Sequence, residues 1–314
     1  MIRSTKQRLV VAESFRLIET HDENVCRAAP SRPSSNEAND MIPRRSLLLT
    51  PLALAACAVP FPPVPDDNTG AAADALLHAS ADAHGRAALE GLGAIAVGYE
   101  GKWRPLVARL QPALIDAGFR GGSEEHLRLR EGMIDQLHTG SQGQKRVERR
   151  WSATTPGTIR VWFNGEESQD PDKRAAAALV ADGYALFLLG PMLLAGAWTP
   201  RRAALALMAP ERITVDGTTH DCDVLRVTLT PGIGLSDTDQ LALYIDRTER
   251  LMRRVRFSLD GLAGTRSAVA EVDTFAHTTR DGVRWPVGFY ERLLRPAPLP
   301  IHDWRLTALS VKRA

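Results

Sequence analysis

Leu241-Ala242-Leu243-Tyr244-Ile245-Asp246-Arg247-Thr248-Glu249-Arg250-Leu251-Met252-Arg253-Arg254-Val255-Arg256-Phe257-Ser258-Leu259 is the stretch that decides the fold class. Its two arms, Leu241–Asp246 and Leu251–Leu259, are rich in β-forming residues. Four polar residues, 247–250, separate them. Two such runs around a short polar turn predict an antiparallel hairpin.

The same grammar extends in both directions. Downstream, Ser267–His277 and Val283–Leu294 flank Thr279-Arg280-Asp281-Gly282 and predict a second hairpin, and Trp304–Val311 reads as a last strand. Upstream, Cys222–Leu229 alternates as a strand and is broken by Pro231-Gly232-Ile233-Gly234. Asp172–Leu189 is strongly helical, with Asp170 or Asp172 as cap, Pro171 near the first turn and Gly190-Pro191 as the stop. Its second half is apolar on most sides, so it is enclosed by protein or covers an apolar cavity. Thr158–Phe163 is a strand ending in the turn signal Asn164-Gly165. Glu125–Arg130, Met133–His138 and Gln144–Trp151 are further strands, and Leu92–Tyr99 another. Residues 105–120, bracketed by Pro105 and Pro112, are open between helix and strand. Residues 71–90 read as one amphipathic helix. Many short strands with one or two helices indicate an α+β class: a curved antiparallel sheet, with residues 72–314 as a single domain.

The segment before it has a different character. Arg44-Arg45 precede an apolar run, Leu47–Ala56, interrupted by Thr50 and Pro51 and too short to span ~30 Å of hydrocarbon. This is the pattern of a secretory signal over 41–56. Leu54-Ala55-Ala56-Cys57 resembles a bacterial lipobox, whose cysteine is acylated and becomes the mature N-terminus. Cys57 is therefore the expected lipid attachment site, and the membrane the expected partner. Arg44-Arg45-Ser46-Leu47-Leu48 also resembles a twin-arginine signal, which leaves the Sec and Tat routes both open. Residues 1–40 are polar without an apolar period, and are expected to be a disordered extension ahead of a true start at Met41. Residues 57–71 are Pro-rich, with four prolines over residues 60–65, and favour an extended tether. Ala58, rather than Asp, follows the lipobox cysteine, which by the common bacterial sorting rule points to the outer membrane.

Two C-terminal stretches carry a family resemblance. Leu243-Tyr244-Ile245-Asp246-Arg247-Thr248-Glu249-Arg250-Leu251 resembles the apolar-x-Ile-Asp-x-x-x-x-Leu hairpin of lipoprotein-carrier-like half-barrels. Glu271-Val272-Asp273-Thr274-Phe275, followed by Asp281-Gly282-Val283-Arg284-Trp285-Pro286, resembles their strand, polar turn and Gly-Val-x-x-Pro unit. The domain thus resembles the LolA/LolB-like superfamily of periplasmic carriers and acceptors. The resemblance implies an incomplete β-barrel whose concave face is apolar and lidded by helices, with room for a lipid or acyl chain. Trp162, Tyr184, Phe187, Trp198, Phe257 and Phe289 are core material by default; in such a half-barrel they are candidate cavity lining. An envelope docking protein that uses the same fold without a ligand is the alternative.

Other chemistries find little support. The chain lacks GxSxG, HExxH, Walker A and CxxC patterns. No catalytic residue, metal ligand or cofactor is expected, and enzymatic activity is not the favoured reading. His220-Asp221-Cys222-Asp223 is the densest polar cluster, and on a strand His220 and Cys222 share a face. Glu271 and Asp273 share another, where acid–base work competes with solvated cross-strand pairing to Arg253, Arg254, Arg256 and Arg266. Of 39 Lys+Arg and 37 Asp+Glu, residues 1–56 hold 8 and 6, leaving 31 of each in the remainder. A neutral mature chain predicts no nucleic-acid partner.

Overall fold

The computed structural model describes residue 61 and residues 70–152, 155–196 and 202–314. All of them belong to the compact unit Ala58–Ala314. The expected signal peptide, 41–56, Cys57 and Trp198 lie outside the described residues.

Helices α1 (Gly70–His84) and α2 (Arg86–Glu90) come first. The single helix predicted for 71–90 is split at Gly85, whose φ is +98°. A Cβ there would meet the Gly282 carbonyl oxygen at 2.3 Å, so the close approach of another backbone requires glycine and turns the chain. Strand β1 (Leu92–Trp103) follows. The open segment 105–120 holds two short helices, α3 (Pro105–Leu110) and α4 (Pro112–Ile115), each started by its proline. A run of hairpins comes next: β2 (Gly122–Arg128), β3 (Met133–Gly140), β4 (Gly143–Arg150), β5 (Thr158–Phe163) and β6 (Glu166–Glu167). The strand predicted for 125–130 ends at Arg128, and Leu129 is buried from a 3-10 turn instead. Asn164 and Gly165, both at positive φ, make the tight turn between β5 and β6.

Helices α5 (Pro171–Leu189) and α6 (Pro191–Ala195) then separate this half from the next. The second half is β7 (Arg202–Val215), β8 (Thr218–Thr230), β9 (Asp239–Asp246), β10 (Met252–Ser258), β11 (Val269–Phe275), β12 (Thr278–Arg280), β13 (Val283–Trp285), β14 (Gly288–Arg295) and β15 (Leu299–Arg313). The hairpin predicted over 267–294 exists with its tip detached: β11 pairs with β14, while β12 and β13 form a separate ribbon. Ala276 at positive φ and Pro286, which has no N–H, interrupt the ladder there.

Among the described residues, thirteen strands form one antiparallel sheet in the order β6-β5-β4-β3-β2-β1-β15-β14-β11-β10-β9-β8-β7. Its two end strands, β6 and β7, are not paired with each other, so the barrel is incomplete. The helices α1, α5 and α6 all pack on one face, against inward residues such as Val97, Leu243, Val255 and Val272. This is the α+β half-barrel the sequence predicts. The opposite face carries a smaller apolar cluster of Met208, Ile213, Cys222, Val224 and Tyr244, against which Phe61 of the Pro-rich segment packs.

Candidate functional site

Helix α5 occupies the apolar face. Asp170 is its cap, accepting from the backbone N–H of Asp172 and Lys173. Every residue from Ala176 to Leu189 is buried. That continuous run includes one charge, Asp182, and Asp182 is fastened on all sides. Its Oδ1 accepts from Arg149 Nε at 3.0 Å and Trp151 Nε1 at 2.7 Å. Its Oδ2 accepts from Arg149 Nη2 and from the Gly234 N–H, both at 2.8 Å. The Arg149 and Asp182 side chains are 1% and 0% exposed. Such a pair adds little net stability but places the helix in one register, because any slip strands two charges in an apolar core.

The six candidate lining residues divide. Phe257 and Phe289 face α5 from the sheet, while Tyr184 and Phe187 sit on α5 itself; all four join one cluster. Phe187 packs on Phe257 with ring centroids 5.4 Å apart. Trp162 is not among them. Its β5 neighbours Val161 and Ile159 are buried, so by alternation Trp162 points to the other face, where Arg146 and Arg160 lie over its ring at 4.9 and 4.6 Å. Its aromatic character suggested lining, but a cation-flanked ring on the outer face cannot line the trough. Trp198 lies outside the described residues.

A cleft lies at the seam where β1 pairs with β15. One wall is a column of rings. Trp103 stacks on His302 at 3.9 Å, His302 on Trp304 at 4.5 Å, and Trp304 on Phe289 at 5.0 Å. Tyr184 of α5 stacks on Trp304 at 5.4 Å, so the column runs from the cleft into the core. The cleft measures about 260 Å³ with its open mouth.

Arg120 enters this cleft. Its Nε donates to the Ile115 carbonyl at 3.0 Å and its Nη2 to the Leu114 carbonyl at 3.4 Å. Its guanidinium lies 5.6 Å from the centre of the Trp103 ring. Among the described residues it makes no ion pair. Burial shifts the acids and bases around it toward their neutral forms. Burial raises Glu125 to about 8 against the opposing hydrogen bond from Gln136 and charge of Arg120, and raises Glu291 to about 7. Burial and then the Arg120 charge push His302 down to about 2, and push His138 well below the ordinary histidine value. Lys145, brought down to about 8 chiefly by burial, is ion-paired with Asp116. Two polar atoms here have no partner among the described residues: His302 Nδ1 and Glu125 Oε2, both on buried side chains.

The other clusters singled out in the sequence are structural. His220 Nδ1 is 2.6 Å from Asp246 Oδ2, and Asp246 also caps the turn through the N–H groups of Thr248 and Glu249. Cys222 shares the face of His220 but lies in the apolar cluster, and burial pushes its thiol up to about 12. Glu271 and Asp273 are buried rather than solvated. Arg254, Arg256 and Arg292 enclose them, with Arg256 Nε 3.0 Å and Arg292 Nε 2.7 Å from Glu271. Arg253 turns instead to Asp246 and Glu249. A carboxylate held by this many cations is a poor base. No spacing motif links Arg120, Glu125, His138 and His302, so the cleft had no signature in the sequence. The one local hint was Trp304 in the predicted last strand.

No family model matches the chain, and no curated protein matches it. Solved structures do. A DUF1329 family protein from Desulfovibrio piger is 10% identical, with 79% of this chain and 94% of that one covered, at a TM-score of 0.44. The chain is similar in the same way to a LolA superfamily protein from Nitrosomonas europaea, at 11% identity, 77% and 94% coverage and a TM-score of 0.44. A putative outer membrane lipoprotein-sorting protein domain from Vibrio parahaemolyticus is 8% identical, with 76% and 93% covered and a TM-score of 0.43.

Proposed function

We propose that the protein is a lipid-anchored module of the bacterial cell envelope, held by an acylated Cys57 and facing the periplasm, whose half-barrel binds a lipid, an acyl chain or another hydrophobic ligand. Ala58 after Cys57 favours the outer membrane. The observation that carries the ligand reading is the way α5 fills the trough. One helix, buried along fourteen consecutive residues, supplies the apolar surface that the concave face requires. It is fastened there by the buried polar node at Asp182. With the helix displaced, Phe257, Phe289 and their aliphatic neighbours form a continuous apolar wall ready for a chain of methylenes. Leu106 and Leu110, 51% and 60% exposed on α3, offer an apolar contact immediately after Trp103.

The second reading, a docking protein without a ligand, is favoured by the same filled interior. Native mass spectrometry of the Cys57→Ala chain, purified without detergent, separates them. Lipid adducts that survive gentle desolvation support the ligand reading. A bare protein mass, unchanged on titration with laurate or dodecanol, rejects it in favour of docking.

A further inference from the structure

The cleft at the β1–β15 seam, which Glu100 also lines, holds a guanidinium that makes no ion pair among the described residues. Arg120 donates to two backbone carbonyls and, from Nη1 at 3.5 Å, to His138 Nδ1, with no carboxylate in ion-pair range among the described residues. A guanidinium in an aromatic-walled cleft is less well solvated than in water, so an anion that reaches it gains more than at the surface. The second observation is independent. His302 is 3% exposed, lines the cleft and leaves Nδ1 without a partner. Buried polar groups are nearly always paired, so this atom marks a place for a ligand or a water.

We infer that this cleft is a receptor for a carboxylate, held between Arg120 and His302 against the Trp103–Trp304 aromatic column. The dimensions select the group. The cleft is small, about 260 Å³ with its open mouth, and one wall is a stack of flat rings. A planar carboxylate fits such a slot and needs one positive charge. A phosphate is tetrahedral, carries up to about two charges and asks for more donors. The carboxylate belongs either to a small free acid or to the head of a fatty acid. The column continues through Trp304 to Phe289 and to Phe187, 5.9 Å away, which directs a chain from the cleft into the trough. That second source rests on the hydrophobic-ligand reading above; the carboxylate site does not.

Calorimetric titration of the Cys57→Ala full chain at pH 7 with acetate, laurate and dodecanol tests it. Laurate should saturate one site and bind at least tenfold tighter than dodecanol. Arg120→Gln should weaken laurate tenfold or more and leave dodecanol unchanged. His302→Phe, which keeps the stack, should weaken laurate by a smaller factor. Acetate that binds and depends on Arg120, with laurate inert, upholds the carboxylate site and removes the hydrophobic reading. Dodecanol as tight as laurate overturns the carboxylate site and leaves that reading standing. Laurate bound equally by wild type and Arg120→Gln overturns the proposal, as does a failure of all three probes. Should Arg120→Gln unfold through its lost contacts to α4, Arg120→Lys keeps the charge and must still lose several-fold in laurate affinity. The wild-type comparison of laurate with dodecanol needs no variant.

Discussion

Glu125 is an acid kept protonated by its surroundings. In the unfolded chain it ionises above about 4.5, and in the folded protein it holds its proton to about 8. Between those values the unfolded state has released a proton that the folded state retains. The stability contributed by this group is therefore full below about pH 4.5 and is lost as pH rises through 8. Glu125→Gln keeps the shape and removes the titration. Its unfolding free energy, from urea melts, should match wild type near pH 4.5 and exceed it by a few kcal/mol at pH 8.5. A gap that stays constant with pH would show that the carboxyl is not held neutral. The same neighbourhood shifts its other titratable groups: burial raises both glutamates and lowers both histidines, while Arg120 makes no ion pair among the described residues.

At the scale of the element, α5 is the part most open to test. Asp182→Leu leaves Arg149 charged in an apolar core and should cost about 3–5 kcal/mol in a denaturant melt. The double variant Asp182→Leu with Arg149→Met removes both charges and should recover most of that loss. If the double variant is as unstable as the single one, the node contributes shape rather than charge balance. Helix α5 and the 241–259 hairpin were both legible in the sequence, because their signals are local: a cap, a stop, and a polar turn between two β-rich arms. β7 was not. Its run from Arg202 to Val215 is diluted by alanines and contains Pro210, which reads as a strand breaker. The structure tolerates that proline because β7 is an end strand and the ladder shifts register between Met208 and Glu211. The cleft was illegible for another reason. Trp103, Arg120, His138 and His302 come from four separate segments, and only strand pairing brings them together.

The whole molecule is organised around its seam. β1 and β15, the first and last strands, pair from Leu92 opposite Arg313 to Trp103 opposite His302. The half-barrel therefore closes through contacts very distant in sequence, the kind that slow folding most. The proposed anchor, Cys57, precedes this unit in the sequence, so it can be tested apart from the fold. In a bacterium with an outer membrane the wild-type chain should partition into the detergent phase on Triton X-114 extraction, and Cys57→Ala should move to the aqueous phase with its fold unchanged. Detergent partitioning that survives the substitution would locate the anchor elsewhere.

Placing the terminal strands at the centre of the sheet leaves its two margins to mid-chain strands, β6 and β7. Those margins are consecutive in the chain except for α5 and α6. The helix that fills the trough is thus also the cord strung between its two rims. A hydrophobic ligand that displaced α5 would therefore act on the very segment of chain that links the two margins.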